Sequence, residues 1–390
     1  MNATVGLHRR LWLPLYLPAL LLGVPAQAGF VLLPLAVLES GAGAAAAAAV
    51  VGLRGLGMMA LDIPAGMLAA RYGERAVMSV AVALLALSFV GYGLAEDVGW
   101  FYLVAFLNGA GSSTFLVGRL SYVSAYCAAG ERGRAISMIA ATVRAAALLG
   151  PLAGGAAAHA FGYQATFLGA ALCMLLGLVC VFVFTAGGAQ GERALGWGGV
   201  PRLAWEQRRV FATYGVAAVC FMLMREARSV LLPLIGASLH LDARAIGGIV
   251  SASALVDVAC TYPAGVIMDR HGRRATAVPS SLLFVASLVA LALTSGYASL
   301  LAAALLAGLA NGLSSGIVMT LGTDLAPPDR RGEFLGVWRL LTDAGSVLGP
   351  MAISAVVMVA PLAVATLGVA GLGAMGSFVV YRHVHETLRV

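Results

Sequence analysis

The chain repeats itself, and the repeat is the strongest constraint on its fold. Tyr262-Pro-Ala-Gly-Val-Ile-Met-Asp-Arg-His-Gly-Arg-Arg274 answers an earlier stretch, Ile63-Pro-Ala-Gly-Met-Leu-Ala-Ala-Arg-Tyr-Gly-Glu-Arg75, so that Gly265 follows Gly66 by 199 positions. The same offset carries Leu32-Leu-Pro-Leu35 onto Leu231-Leu-Pro-Leu234, Arg132-Gly133 onto Arg331-Gly332, and Gly150-Pro151 onto Gly349-Pro350. Unrelated landmarks in one register mean an internal duplication half the chain long.

Each copy holds six long apolar runs. They fall near 11–37, 44–70, 76–95, 99–125, 135–159 and 163–185, then near 211–236, 244–268, 275–294, 298–322, 335–358 and 362–381. A helix needs ~20 apolar residues to cross the hydrocarbon core, and backbone polar groups left open in lipid rule out isolated strands. The expected fold is an all-α membrane protein of twelve transmembrane helices in two pseudo-symmetric bundles. Residues 1–185 form the first, 186–210 a polar linker with Trp197 and Trp205 as interface anchors, and 211–390 the second. Composition agrees: 61% of the residues are hydrophobic and 11% charged, against roughly 25% charged in soluble domains.

The net charge of +7 does not point to nucleic acid, because the arginines punctuate the ends of apolar runs instead of lining one face. With the N-terminus taken as cytoplasmic, seventeen arginines fall on the inner side and only Arg244 on the outer turns. That bias places both termini in the cytoplasm. Arg9-Arg10, an apolar run and Ala26-Gln27-Ala28 imitate a cleavable leader, but cleavage there would remove a helix whose counterpart in the second copy is kept. The five cysteines (127, 173, 180, 220 and 260) lack metal-ligand spacing and read as small apolar residues. No metal and no cofactor is expected. Without lysine, a Walker-type phosphate loop is impossible.

Ten ionisable residues fall well inside the runs: Arg54, Asp62, Arg119, Arg144, Arg225, Glu226, Arg228, Asp257, Arg339 and Asp343. Each costs at least ~2.5–3.5 kcal/mol at mid-membrane, so they must pair or line water. Arg339 and Asp343 are i,i+4 neighbours and can pair on their own helix. Nearly all of these positions break the repeat: Asp257 corresponds to Met58, Asp62 to Thr261 and Arg225 to Ala26. Two readings stand side by side, static pairs that hold the bundle together and acids that change protonation during work.

The stretch Gly265-Val-Ile-Met-Asp269-Arg270-His-Gly272-Arg273-Arg274 resembles the loop signature of the major facilitator superfamily, and Gly66, Arg71, Gly73 and Arg75 are its first-half copy. Ala70 stands where that family usually has aspartate, and Glu74 where a basic residue is common. Gly150-Pro151-Leu-Ala-Gly154-Gly155 is similar to the family's antiporter signature, with Ala146 in place of its leading glycine. Ala105 stands where the fourth-helix arginine of the drug/proton exporters is expected, and Arg119 lies lower on the same helix.

The resemblance implies a secondary transporter working by alternating access, with both sets of motif residues as gates. It implies that helices five and eight meet, and likewise two and eleven. At ~1.5 Å per residue, Arg144 lies about 14 Å, Asp257 about 16 Å and Asp62 about 12 Å into their helices. The expected charge network is therefore Arg144 with Asp257, and Asp62 with Arg339 or Asp343, with Glu226 as a second protonation candidate. The family's cavity helices would bring Gln27, Asn108, Phe221, Arg225 and Asn311 to the substrate. Interhelical hydrogen bonding explains the amides equally well, and Phe221 reads more simply as packing.

The expected activity is proton-coupled export of small amphipathic, drug-like compounds. The alternative is uptake or exchange of a small metabolite or organic anion. The expected partners are the substrate, protons and lipid, with no nucleic acid, and the expected state is a monomer in a bacterial inner membrane. A membrane enzyme would need a clustered nucleophile or metal set, and a receptor would need outer loops or a signalling domain; neither is visible. A channel suits two rocking repeats less well than a carrier does.

Overall fold

A computed structural model describes residues 11–185, 200–327 and 330–383. Arg9, Arg10 and Trp197 lie outside the described residues. The first copy contributes α1 (Trp12–Glu39), α2 (Ala44–Tyr72), α3 (Glu74–Gly93) and α4 (Val98–Tyr126). A continuous stretch, Ala129–Phe184, follows and breaks at Gly162 (φ 80, ψ 167). The segments before and after the break are α5 and α6. A short α7 (Val200–Glu206) precedes α8 (Val216–Ser238), α9 (Ala243–His271), α10 (Arg274–Ala292), α11 (Tyr297–Leu313), α12 (Ile317–Leu325), α13 (Arg331–Val357) and α14 (Leu362–His383).

Ten helices among the described residues are long and apolar enough to cross a membrane, counting the stretch that breaks at Gly162 as one and Tyr297–Leu325 as one. Counting α5 and α6 apart gives eleven. The twelfth is α8, whose Arg225, Glu226 and Arg228 keep it from being apolar enough on composition alone. Twelve spans, six per copy, agree with the expectation.

The repeat survives in fine detail. A π-helical turn at Trp12–Tyr16 opens α1, and another at Phe211–Gly215 leads into α8, 199 residues later. Gly73 (φ 81) and Gly272 (φ 90) both turn the chain in a backbone region that side chains avoid. The helix crossings correspond too. A Cβ at Gly150 would lie 2.6 Å from the Val24 carbonyl oxygen, and one at Gly349 would lie 2.6 Å from that of Leu223. At Gly109 it would collide with the Arg54 carbonyl, and at Gly308 with the Ser253 carbonyl. Bare backbone lets these helices touch where lipid supplies no hydrophobic drive for association.

Two compact units divide the chain: Met1–Gly41 with Leu53–Ala194, and Ala42–Gly52 with Leu195–Val390. The division cuts α2, whose first residues are grouped with the second unit. There Ser354 Oγ donates to the Ala45 carbonyl at 2.8 Å.

The structure adds two details to the expectations. The tenth span, expected near 298–322, is found at Tyr297–Leu325 with a break inside it, where α11 stops at Leu313 and α12 starts at Ile317. Between them Gly316 is left-handed (φ 86), and Ser314 Oγ turns back to donate to the Asn311 carbonyl at 2.9 Å. Hydroxyls and glycines offer the backbone such an alternative to the helix ladder. The repeat places Val117 at the corresponding position in α4, which stays unbroken.

Within the expected linker 186–210, the described residues include the short helix α7. Leu203 is buried, and Arg202 pairs with Glu206 one turn on at 2.8 Å. Glu206 also receives Arg330 at 3.0 Å, tying α7 to the residue before α13. Trp205 is exposed, with the Arg208 guanidinium 4.8 Å above its ring.

Candidate functional site

In the first unit, polar groups gather where α2 crosses α4. The bare backbone of Gly109 brings the helices close enough for Arg54, on α2, to reach Asn108 and Ser112 on α4. Arg54 Nε donates to Asn108 Oδ1 at 2.9 Å, and Nη2 lies 3.4 Å from Ser112 Oγ. The Phe30 ring of α1 sits 4.2 Å from the guanidinium. Two turns along α2, the Asp62 carboxylate accepts from Ser113 Oγ. Gln27 meets α5 at Gly150, where a side chain on the glycine would strike it. Arg119 is buried on α4, with its guanidinium 5.5 Å from the Phe115 ring.

In the second unit the corresponding crossing, α9 against α11, holds an acid on an amide. Asn311 Nδ2 donates to Asp257 Oδ2 at 2.5 Å. On the neighbouring α8, Arg228 Nη1 donates to Ser253 Oγ at 3.2 Å, and Ser253 in turn donates to the Ala304 carbonyl at 2.6 Å. Arg225 and Glu226 are half-buried on the same helix, α8. Phe221 is buried and meets Phe284 edge-on at 6.5 Å. Arg339 and Asp343 sit on α13 with Nε and Oδ2 3.5 Å apart, the neighbour pairing that their spacing allows. Arg144 is half-buried on α5.

Two residues expected in separate roles thus come together, Asp257 from the charge network and Asn311 from the cavity. The structure also supplies partners that sequence reasoning did not name: Arg54 for Asn108, Ser113 for Asp62, and Ser253 for Arg228. Hydroxyls inside apolar runs were the only signal available for the last two.

The loop motifs differ in sign between the units. Arg273 donates to Asp324 Oδ2 of α12 at 3.1 Å and to the Met268 carbonyl at 3.1 Å, while the exposed Asp269 is 3.4 Å away. Glu74 stands at the matching position of the first unit. It is buried and accepts from Ser121 Oγ of α4 at 3.1 Å. A hydrogen bond from a neutral hydroxyl replaces the ion pair there. Arg75 lies over Phe182 at 4.7 Å and Arg71 over Tyr72 at 5.2 Å, while Arg270 is exposed. Gly66 has a Val117 methyl near it at 3.9 Å, and Gly265 faces open space. Pro151 is buried next to Gly150, and Gly154 packs on Ala28 of α1.

A duplicated six-helix bundle with charges held between its helices defines a multi-pass membrane transporter. The model of the Major Facilitator Superfamily matches residues 15–211 and 214–389. The chain belongs to that superfamily. Curated relatives include proteins named multidrug resistance protein MdtH from Enterobacter sp. (strain 638), 23% identical over 76% of this chain and 74% of that one, and from Proteus mirabilis (strain HI4320), 22% identical over the same shares. Solved structures of the same fold include a POT family transporter in complex with 5-aminolevulinic acid (TM-score 0.80, 12% identity, 96% of this chain and 95% of that one). The nucleoside transporter NupG, solved as a point mutant, has the same score at 14% identity, over 95% of this chain and 99% of that one.

Proposed function

We propose that this protein is a proton-coupled exporter of small amphipathic, drug-like compounds. It sits in a bacterial inner membrane with both termini cytoplasmic and works by alternating access. The observation that carries the coupling is the setting of Asp257, a carboxylate within an apolar helix whose nearest named partner is the neutral amide of Asn311. A carboxylate at such depth must be paired or neutralised, and Asp257 is taken as the group that carries the proton. Asp62, which accepts from Ser113, is the second candidate. Protonation removes a charge from the bundle and biases the equilibrium between the two facing states. Direction and substrate class rest on the names of the MdtH relatives and on the antiporter-like run Gly150–Gly155.

The test is transport in proteoliposomes with and without an imposed pH gradient, using a panel of amphipathic toxic compounds. Wild-type protein should accumulate substrate only with the gradient. Asp257→Asn and Asp62→Asn should lose that accumulation and retain gradient-free exchange. If both variants still drive substrate uphill with unaltered pH dependence, proton coupling through these acids is wrong.

Uptake or exchange of an organic anion is the second reading. The excess of arginines over acids within the spans, six against four, favours it. Disrupting the gene separates the readings: cells become sensitive to toxic compounds in the first case and lose growth on a nutrient in the second.

A further inference from the structure

We infer that α7 and the two arginines after it form a docking surface for acidic phospholipid, with Arg208, Arg209 and Trp205 receiving the headgroup. The partner is a lipid of the surrounding bilayer and not the transported molecule, so the inference stands apart from substrate and coupling.

Placement comes first. α7 packs on α13, and its Leu203 is buried. Trp205 turns the other way and is 71% exposed. An indole in water has its apolar rings poorly solvated, whereas at headgroup level both the rings and the N–H are served. Chain order puts α7 at that level. Arg208 and Arg209 lead through the π-helical turn Phe211–Gly215 straight into α8. Arg209 therefore stands ~3 Å before Phe211, where the apolar run begins. A headgroup layer is roughly 5–8 Å deep in each leaflet, so both arginines fall within it.

Charge then selects the lipid. Glu206 accepts from Arg202 at 2.8 Å and from Arg330 at 3.0 Å, and Glu333 accepts from Arg330 at 2.6 Å. Both acids are engaged by those two arginines. Arg208 and Arg209 have no carboxylate partner among the described residues, and both are exposed. Arg208 donates to the Trp205 carbonyl at 3.0 Å with its guanidinium 4.8 Å from the indole. That bond uses one of its five N–H donors and holds the cation beside the ring. Guanidinium groups match the geometry of phosphate oxygens. A zwitterionic headgroup brings an ammonium along with its phosphate and gains less from two cations than an acidic headgroup does.

The test places the full chain in nanodiscs of equal parts phosphatidylglycerol and phosphatidylcholine and reads the quenching of tryptophan fluorescence. Bromine sits high on the acyl chain, on phosphatidylglycerol in one preparation and on phosphatidylcholine in the other. Membrane charge is then the same in both. The difference between wild type and Trp205→Phe isolates the emission of Trp205. That emission should be quenched at least about twofold more when phosphatidylglycerol carries the bromine. Arg208→Gln combined with Arg209→Gln should bring the two preparations to parity. High salt should do the same to the wild type, since the screening length falls to ~3 Å at 1 M. Arg244→Gln removes an exposed cation near the start of α9 and should leave the preference unchanged. Equal quenching by both lipids in the wild type, no quenching of Trp205 by either, or a preference that survives the loss of both arginines would each overturn the docking surface. A preference lost as fully in Arg244→Gln would overturn it too, because net charge alone would then explain the effect. If the double variant does not fold, the salt titration of the wild type decides.

Discussion

Asn311 Nδ2 lies 2.5 Å from Asp257 Oδ2, joining α11 to α9 inside one repeat. The bond lies at a crossing where Gly312 packs on the Asp257 backbone, so helix contact and polar contact share one place. Asn311 is 2% exposed, and no water competes easily for its amide.

Removing one partner should therefore hurt more than removing both. Asn311→Leu leaves the carboxylate without this donor and should cost about 1.5–3 kcal/mol, the range for hydrogen bonds to charged groups. Adding Asp257→Leu should restore part of that stability. Thermal unfolding of the detergent-solubilised variants checks the order. Equal losses for the single and double variants would mean that the bond contributes nothing.

The crossing glycines make a sharper steric prediction. Gly109→Ala and Gly308→Ala each drive a methyl into a carbonyl of the facing helix. Overpacking of this kind typically costs ~1–3 kcal/mol, so both should lower the melting temperature and the yield of folded protein. Gly265→Ala meets nothing within 4 Å and should leave stability unchanged. The comparison matters because Gly265 belongs to the loop motif and the crossing glycines do not. If Gly265→Ala reduces transport without altering unfolding, the motif glycine is needed for motion.

A third expectation concerns the break between α11 and α12. Left-handed backbone costs a residue with a Cβ roughly 1–2 kcal/mol. Gly316→Ala should therefore destabilise by about that amount or pull the break toward a continuous helix. Hydrogen exchange across Ser314–Ile317 distinguishes the two: faster exchange marks strain, and slower exchange marks a mended helix.

The twelve spans and the duplication were legible because apolar length and a fixed offset are one-dimensional properties. Partner choice was not. In a helix apolar on all sides, lipid-facing and protein-facing surfaces look alike, so the sequence carries little amphipathic signal. Depth along the axis was readable for Arg54 and Asn108, but not that Arg54 turns toward α4. The run Asn311-Gly-Leu-Ser-Ser-Gly316 held the marks of a helix break, yet the apolar stretch around it favoured continuity. The helix at Val200–Glu206 was hidden by the polar composition of its surroundings. The buried Leu203 and the contact from Arg330 to Glu206 depend on tertiary placement that composition does not reveal.

The matched positions Glu74 and Arg273 allow the strongest electrostatic test. Arg273 and Asp324 have side chains 13% and 24% exposed, so their ion pair is only partly screened by solvent. A double-mutant cycle with Arg273→Gln and Asp324→Asn should give a coupling of about 1 kcal/mol, at the upper end for accessible pairs. Arg202 and Glu206, at 82% and 43% exposure, should give a coupling near zero by the same measurement. Glu74 depends on a neutral donor, so Glu74→Gln should keep its bond to Ser121 and cost little. Glu74→Arg, which restores the sign of the second repeat, should cost more. It buries a cation at a site 4% exposed, with Ser121 as the partner that the structure provides. Stability of Glu74→Arg equal to wild type would show that the position tolerates either sign and that the divergence between the repeats there has no electrostatic cause.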